Sequence, residues 1–186
     1  MRSPACRYAL MNQTTHQIGR LGSALLAGAV AIILNTLALR AADLISLPTA
    51  HGGLLRLLSR WLSRPSQHWG ISSLWSAAGF PEPNAPIFQT SFHLFVGMLM
   101  ALFYAFVLEP VLSGGPFAKG AIYAAALWLL NACLVLPATG EGFAGSVHLS
   151  VAGIAWFAAA HTLFFLTLTY MFASLMGLSA ADRVTH

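Results

Sequence analysis

The chain has 186 residues, of which 58% are apolar and only 8% are charged. Soluble domains carry roughly 25% charged residues, so this composition excludes a water-soluble globule and assigns the chain to lipid. The formal charge of +4 does not mark a nucleic-acid binder: the basic residues are scattered over tails and loops, with no stripe interleaved with aromatics, and anionic lipid accounts for them.

Residues 1–19 read as a polar tail carrying Arg2 and Arg7, with Met11 as a second possible start. The first span follows at about 21–42, beginning "LGSALLAGAVAIILNTLAL". It is longer than the roughly 7–15 residues of a signal-peptide core, and no A-x-A cleavage site follows it. Arg40 and Asp43 stand at i, i+3 near its end, close enough to pair on one face.

The first connection, 48–90, contains "GLLRLLSRWLSR". Arg56, Arg60 and Arg64 recur every four residues among leucines and Trp61. This predicts an amphipathic helix over about 53–64 in the membrane interface, with those arginines and Trp61 facing lipid headgroups. Trp69 and Trp75 extend an aromatic belt. Three prolines in "PEPNAP" then enforce an irregular segment.

The second span is predicted at about 91–109 and ends at Glu109-Pro110. The third runs over about 117–137 and the fourth over about 148–176, the last longer than the ~20 residues a bilayer requires. Small residues recur at four-residue spacing: Gly97, Ala101 and Ala105; Gly120 and Ala124; Ala155 and Ala159. Such stripes let helix backbones approach closely in lipid. The expected fold is therefore an all-α bundle of four transmembrane helices in one domain, with an interfacial helix in the first loop.

Polar residues inside spans are the default functional candidates, because lipid penalises them. His93 opens the second span and His148 the fourth, on the side of the loop that holds Glu141. Together the three would suit a metal, haem or quinone headgroup; the plainer reading is headgroup-level histidines bonded to backbone or water. His161 lies 13 residues beyond His148, about 20 Å deeper by helix rise. Asn35, Tyr104 and Tyr123 fall near that depth, giving a polar layer with one residue per helix. On these depths His161 faces neither His93 nor His148, so haem b would fit only between His93 and His148; otherwise no cofactor is expected. Cys6 in the tail and Cys133 in a span match no metal motif, and Cys133 reads as a small packing residue. No G-x-S-x-G, H-E-x-x-H, P-loop or C-x-x-C is present. The glycines of "TGEGFAG" read as a tight interfacial turn.

Residues 90–172 carry a recurrent pattern: His93 and Gly97 entering a span, then Tyr104, a span ending at Pro137 before Gly140 and Gly142, and His161 inside the last span. This resembles the YagU-type and related four-span inner-membrane proteins of bacteria. The resemblance implies four helices in a bacterial inner membrane and no particular activity. The leading expectation is a non-catalytic accessory or scaffold subunit, or a module binding lipid or a small ligand. The alternative is a redox or transport component using the histidines, and a third possibility is a lipid-modifying enzyme at the headgroup level. The expected partners are the lipid bilayer and a second membrane protein or second copy of the chain. Arg2, Arg7, Arg20, Lys119 and Arg183 on one side, against Arg40, Arg56, Arg60 and Arg64 on the other, favour cytoplasmic termini.

Overall fold

The structure is a computed structural model. It describes residues 4–49, 53–79, 81–82 and 85–184, with side chains for all of these except 4–16, 62–67, 71–72, 76 and 178–184. Among the described residues every regular element is helical: α1 (Pro4–Leu44), α2 (Gly53–His68), α3 (Ile71–Ala77), α4 (Pro86–Phe103), α5 (Pro116–Leu130), α6 (Leu136–Ala138) and α7 (Val151–Val184). Four segments are long and apolar enough to cross a membrane: Gln17–Leu44, Pro86–Leu108, Pro116–Ala138 and Val151–Gly177. The protein is an all-α, multi-pass membrane bundle.

Helix boundaries follow local chemistry. α4 and α5 both begin on a proline after an extended residue, Ala85 and Gly115. Proline suits this position because its fixed φ is helical and its missing N–H would be unpaired there anyway. α4 therefore starts five residues earlier than the apolar run suggests. α1 is also longer than its apolar core, because no breaker separates the basic tail from the span and the helix runs back to Pro4. α7 starts later than expected: Ser150 caps it, its hydroxyl accepting the Gly153 N–H at 3.2 Å.

α1 packs against α7 and α4, and α7 packs against α5, whereas α4 and α5 make little backbone contact with each other. Ala24, Ala27 and Ala31 of α1 are fully buried, as are Ala101 and Ala105 of α4. A Cβ on Gly28 would lie 2.5 Å from the Ala101 Cβ, and one on Gly97 would lie 2.5 Å from Ile32 Cδ1. These small residues set the α1–α4 approach. Gly120 does the same for α5 on α7, where a Cβ would meet Thr169 Oγ1 at 2.6 Å.

The fourth helix departs from the expected pattern. Ala155 and Ala159 are exposed, and α7 instead buries Phe157, Ala160, Phe164, Phe165, Leu168 and Phe172. Alanine is so frequent there that four-residue spacing occurs in several phases, and the larger apolar volume of the phenylalanine face decides between them. Cys133, expected in the packing, is exposed on the outer surface.

Candidate functional site

The bundle is closed at one end and splayed at the other. At the closed end Tyr123 bridges α5 to α4. Its ring stacks on Tyr104 at 6.2 Å and tilts against Phe165 at 4.4 Å, and its hydroxyl donates to the Met100 carbonyl at 3.3 Å. Tyr104 in turn meets Phe172 edge-on at 5.7 Å. Beyond this plug α4 and α5 part, and the space between them is a cavity of about 620 Å³. Its walls include Ile32, Val96, Leu127 and the rings of Phe92, Phe157, Phe164 and Phe165, while Arg40, Asp43 and Gln89 stand at the helix ends and Leu54 and Leu55 of α2 cover it.

Asn35, His93 and His161 all line this cavity. The Asn35 amide donates through Nδ2 to the Ala160 carbonyl at 2.8 Å, which ties α1 to α7. Its Oδ1 then faces His93 Nε2 at 2.9 Å. An amide oxygen only accepts, so His93 Nε2 carries the proton. His161 Nδ1 lies 2.8 Å from the Phe157 carbonyl, another pure acceptor, and so carries a proton as well. In neutral imidazoles the lone pairs are consequently on His93 Nδ1 and His161 Nε2. Neither atom has a partner, yet every sealed-in side-chain nitrogen and oxygen among the described residues has one. Both nitrogens are therefore accessible, on side chains that line the cavity.

This grouping differs from the one expected. His93 sits seven residues into α4 rather than at its start, about 10 Å along the helix. His148 lies before α7, so His161 is only ten residues into that helix, about 15 Å. The two depths converge, and His161 joins His93 and Asn35. Tyr104 and Tyr123 belong to the plug further along, so the expected four-residue layer divides into two groups.

His148 and Glu141 do meet, at 2.7 Å, but His93 is bonded to Asn35 and not to them. Among the described residues no three His, Cys, Asp or Glu side chains are placed to hold a metal ion. Glu141 stands between Gly140 and Gly142, whose φ angles of 86° and 74° are open to glycine. It also accepts from Arg56, and Arg60 donates to the Ala138 carbonyl at 2.9 Å. These two α2 arginines thus fasten α2 over the end of α5 and α6, while Trp61 is exposed. The Arg64 side chain lies outside the described residues.

A second polar cluster was not singled out by sequence reasoning. After Phe103 α4 continues as a π segment, Tyr104–Leu108, in which the Glu109 N–H reaches back to the Tyr104 carbonyl at 2.8 Å. The Ala105 carbonyl loses that donor, and Pro110 next in line has none. Arg20 replaces it, donating to the Ala105 carbonyl from Nε at 2.7 Å and from Nη2. Arg20 also pairs with Glu109 at 2.5 Å, and Lys119 donates to the Glu109 carbonyl at 2.9 Å and its carboxylate at 3.3 Å. Partial burial pushes the Glu109 carboxyl pKa up, but the hydrogen bonds and charges of Arg20 and Lys119 outweigh it and hold the group below its ordinary value. The signal in the sequence was the location of Arg20, Glu109 and Lys119 near three span ends on one side.

Comparison with protein families, curated proteins and solved structures finds no match to this chain.

Proposed function

We propose that this chain is a non-catalytic, small-ligand-binding module that takes an amphipathic ligand into the cavity between α4 and α5. The observation that carries this reading is the cavity itself: about 620 Å³ of mostly apolar space with a fixed Asn35–His93 pair and His161 on its wall. Such a volume lies within the roughly 300–1,000 Å³ of small-molecule sites, and a few convergent polar groups on an apolar wall is their usual chemistry. A ligand with an apolar body would leave lipid at little cost and gain polar contacts unavailable there.

A bacterial inner-membrane location with cytoplasmic termini, kinship with the YagU-type proteins and association with a second membrane protein belong to the same proposal. They are supported by the distribution of Arg and Lys and by the pattern from His93 to His161. The test is purification in lipid nanodiscs followed by mass spectrometry of retained small molecules. A molecule retained stoichiometrically by the native chain and lost in Val96→Trp, which fills the cavity, is the expected result. Equal retention by a folded Val96→Trp variant would refute it.

A second reading rests on one observation, the two unpartnered imidazole nitrogens facing one cavity. His93 and His161 would hold the iron of haem b, which would supply electron-transfer chemistry, and the chain would then be a redox component. A Soret band in the purified protein that disappears in His161→Phe supports this reading, and a colourless protein after haem supplementation removes it.

A further inference from the structure

We infer that the cavity selects a ligand whose ring-shaped headgroup donates O–H hydrogen bonds, a phenol or quinol, over the carbonyl form of the same molecule. This rests on the ligand-binding reading above and names the chemistry of its headgroup.

The Asn35 amide is oriented by the Ala160 carbonyl, so its oxygen is presented to His93 and the proton must be on His93 Nε2. The Phe157 carbonyl likewise holds the proton of His161 on Nδ1. Each histidine thus has its donor occupied by the protein and its acceptor, His93 Nδ1 or His161 Nε2, left accessible on a side chain that lines the cavity. A hydroxylated headgroup satisfies those lone pairs. A carbonyl headgroup sets oxygen lone pairs against nitrogen lone pairs. It can be accommodated only if a histidine shifts its proton, which breaks the bond to Asn35 or to Phe157, or gains a second one, which places a charge in a mostly apolar cavity. A buried site built to pair with a hydroxyl rejects the analogue that lacks it more strongly than an apolar pocket rejects a change of size.

The ring follows from the walls. Phe92, Phe157, Phe164 and Phe165 all line the cavity, and offset or edge-on contact with such rings favours a flat aromatic head over a straight chain. Arg40 and Asp43 both line the cavity at the helix ends, one cation beside one carboxylate, so no net positive charge there calls for a phosphate.

The test uses the full chain in phosphatidylcholine nanodiscs under anaerobic conditions. The probes are a 1,4-benzoquinol with a ten-carbon tail, its quinone, and decanol, each titrated and the retained probe counted by mass spectrometry. The expected result is affinity for the quinol about tenfold or more above the quinone, as two hydrogen bonds would give, with decanol weaker than the quinol. His161→Phe, which leaves His93 as the one remaining acceptor, should bring the quinol-to-quinone ratio down to about threefold while the protein melts normally. Because the primary readout is a ratio on the native chain, failure of a variant to fold does not remove the test. Equal binding of quinol and quinone by the native chain overturns the inference and leaves the cavity reading intact. Binding of decanol as tight as the quinol overturns the ring requirement. Retention of none of the three probes overturns the cavity reading itself.

Discussion

The two ends of the bundle solve the problem of polar groups in lipid in opposite ways. At the closed end the charged groups are consumed by structure: Arg20 caps an orphaned carbonyl and Glu109 takes two cations, while the Tyr123 hydroxyl ties α5 to α4. At the splayed end Asn35 is consumed in the same manner, but His93 and His161 each keep one nitrogen for something else. Polarity alone therefore does not mark a site in a membrane protein. What marks it is hydrogen-bonding capacity left over after the structure has been satisfied, facing space that can hold a partner.

Mutations can break or sharpen this contrast, and the largest effect is expected at the plug. Tyr123→Ala removes a ring that is 3% exposed and touches Phe103, Tyr104 and Phe165. A loss of about 3–5 kcal/mol is expected, read as a large fall in detergent melting temperature. A variant melting like the native chain would show that the closed end does not hold the bundle together.

Glu109→Gln comes next. It leaves Arg20 and Lys119, with side chains only 15% and 14% exposed, without their carboxylate. Removing one partner of a fully buried pair costs about 3–5 kcal/mol, and the 29% exposure of Glu109 brings the expectation down to about 2 kcal/mol. Its pH dependence has a definite sign. The folded pKa lies below the ordinary 4.5, so the contribution is complete above that value and is lost as pH falls through the folded pKa. Acid melting curves of the native chain should show this loss, and those of Glu109→Gln should lack it. Identical acid profiles would mean that the cluster does not contribute.

At the splayed end Asn35→Leu strands the His93 N–H and should cost about 1–3 kcal/mol. It should also weaken ligand retention, because His93 is then free to choose either tautomer. Unchanged retention with reduced stability would confine Asn35 to a structural role. The smallest effect is expected on the surface of α2. Arg56 is 55% exposed, so solvent screening limits Arg56→Ala to under about 1 kcal/mol. Faster amide exchange in α2 is the sensitive readout, and unchanged exchange would show that Arg60 alone suffices to dock the helix.

Much of the fold was legible because lipid imposes a simple rule. Four long apolar runs with few charges become four helices, and the glycine and alanine stripes on α4 and α5 pack as their spacing predicts. The grouping of the site was not legible from hydropathy, since it depends on where helices begin. A start at Pro86 instead of Ser91, and a cap at Ser150, bring His93 and His161 to one depth. Both signals are written in the sequence, as a proline after an extended residue and a serine three residues before a glycine N–H, but apolar content overrides them when spans are drawn by composition. Helix rotation was also hidden. The alanines of α7 fit several phases, and only packing against α1 and α5 chooses the phenylalanine face. The Arg20–Glu109–Lys119 cluster needed the π segment, for which Pro110 was the single local hint.

That π segment is best understood as a matter of phase. An α-helix turns by about 100° per residue, and a bond that spans five residues instead of four fits one extra residue into a turn. Everything after Tyr104–Leu108 is thereby rotated relative to the helix before it. Removing one residue from the segment would restore an uninterrupted helix with better internal bonding, yet it would swing Glu109 about a quarter turn away from Arg20 and Lys119. The irregular turn thus works as a spacer that lets one helix keep its small-residue face on α1 while aiming its last carboxylate at two different neighbours.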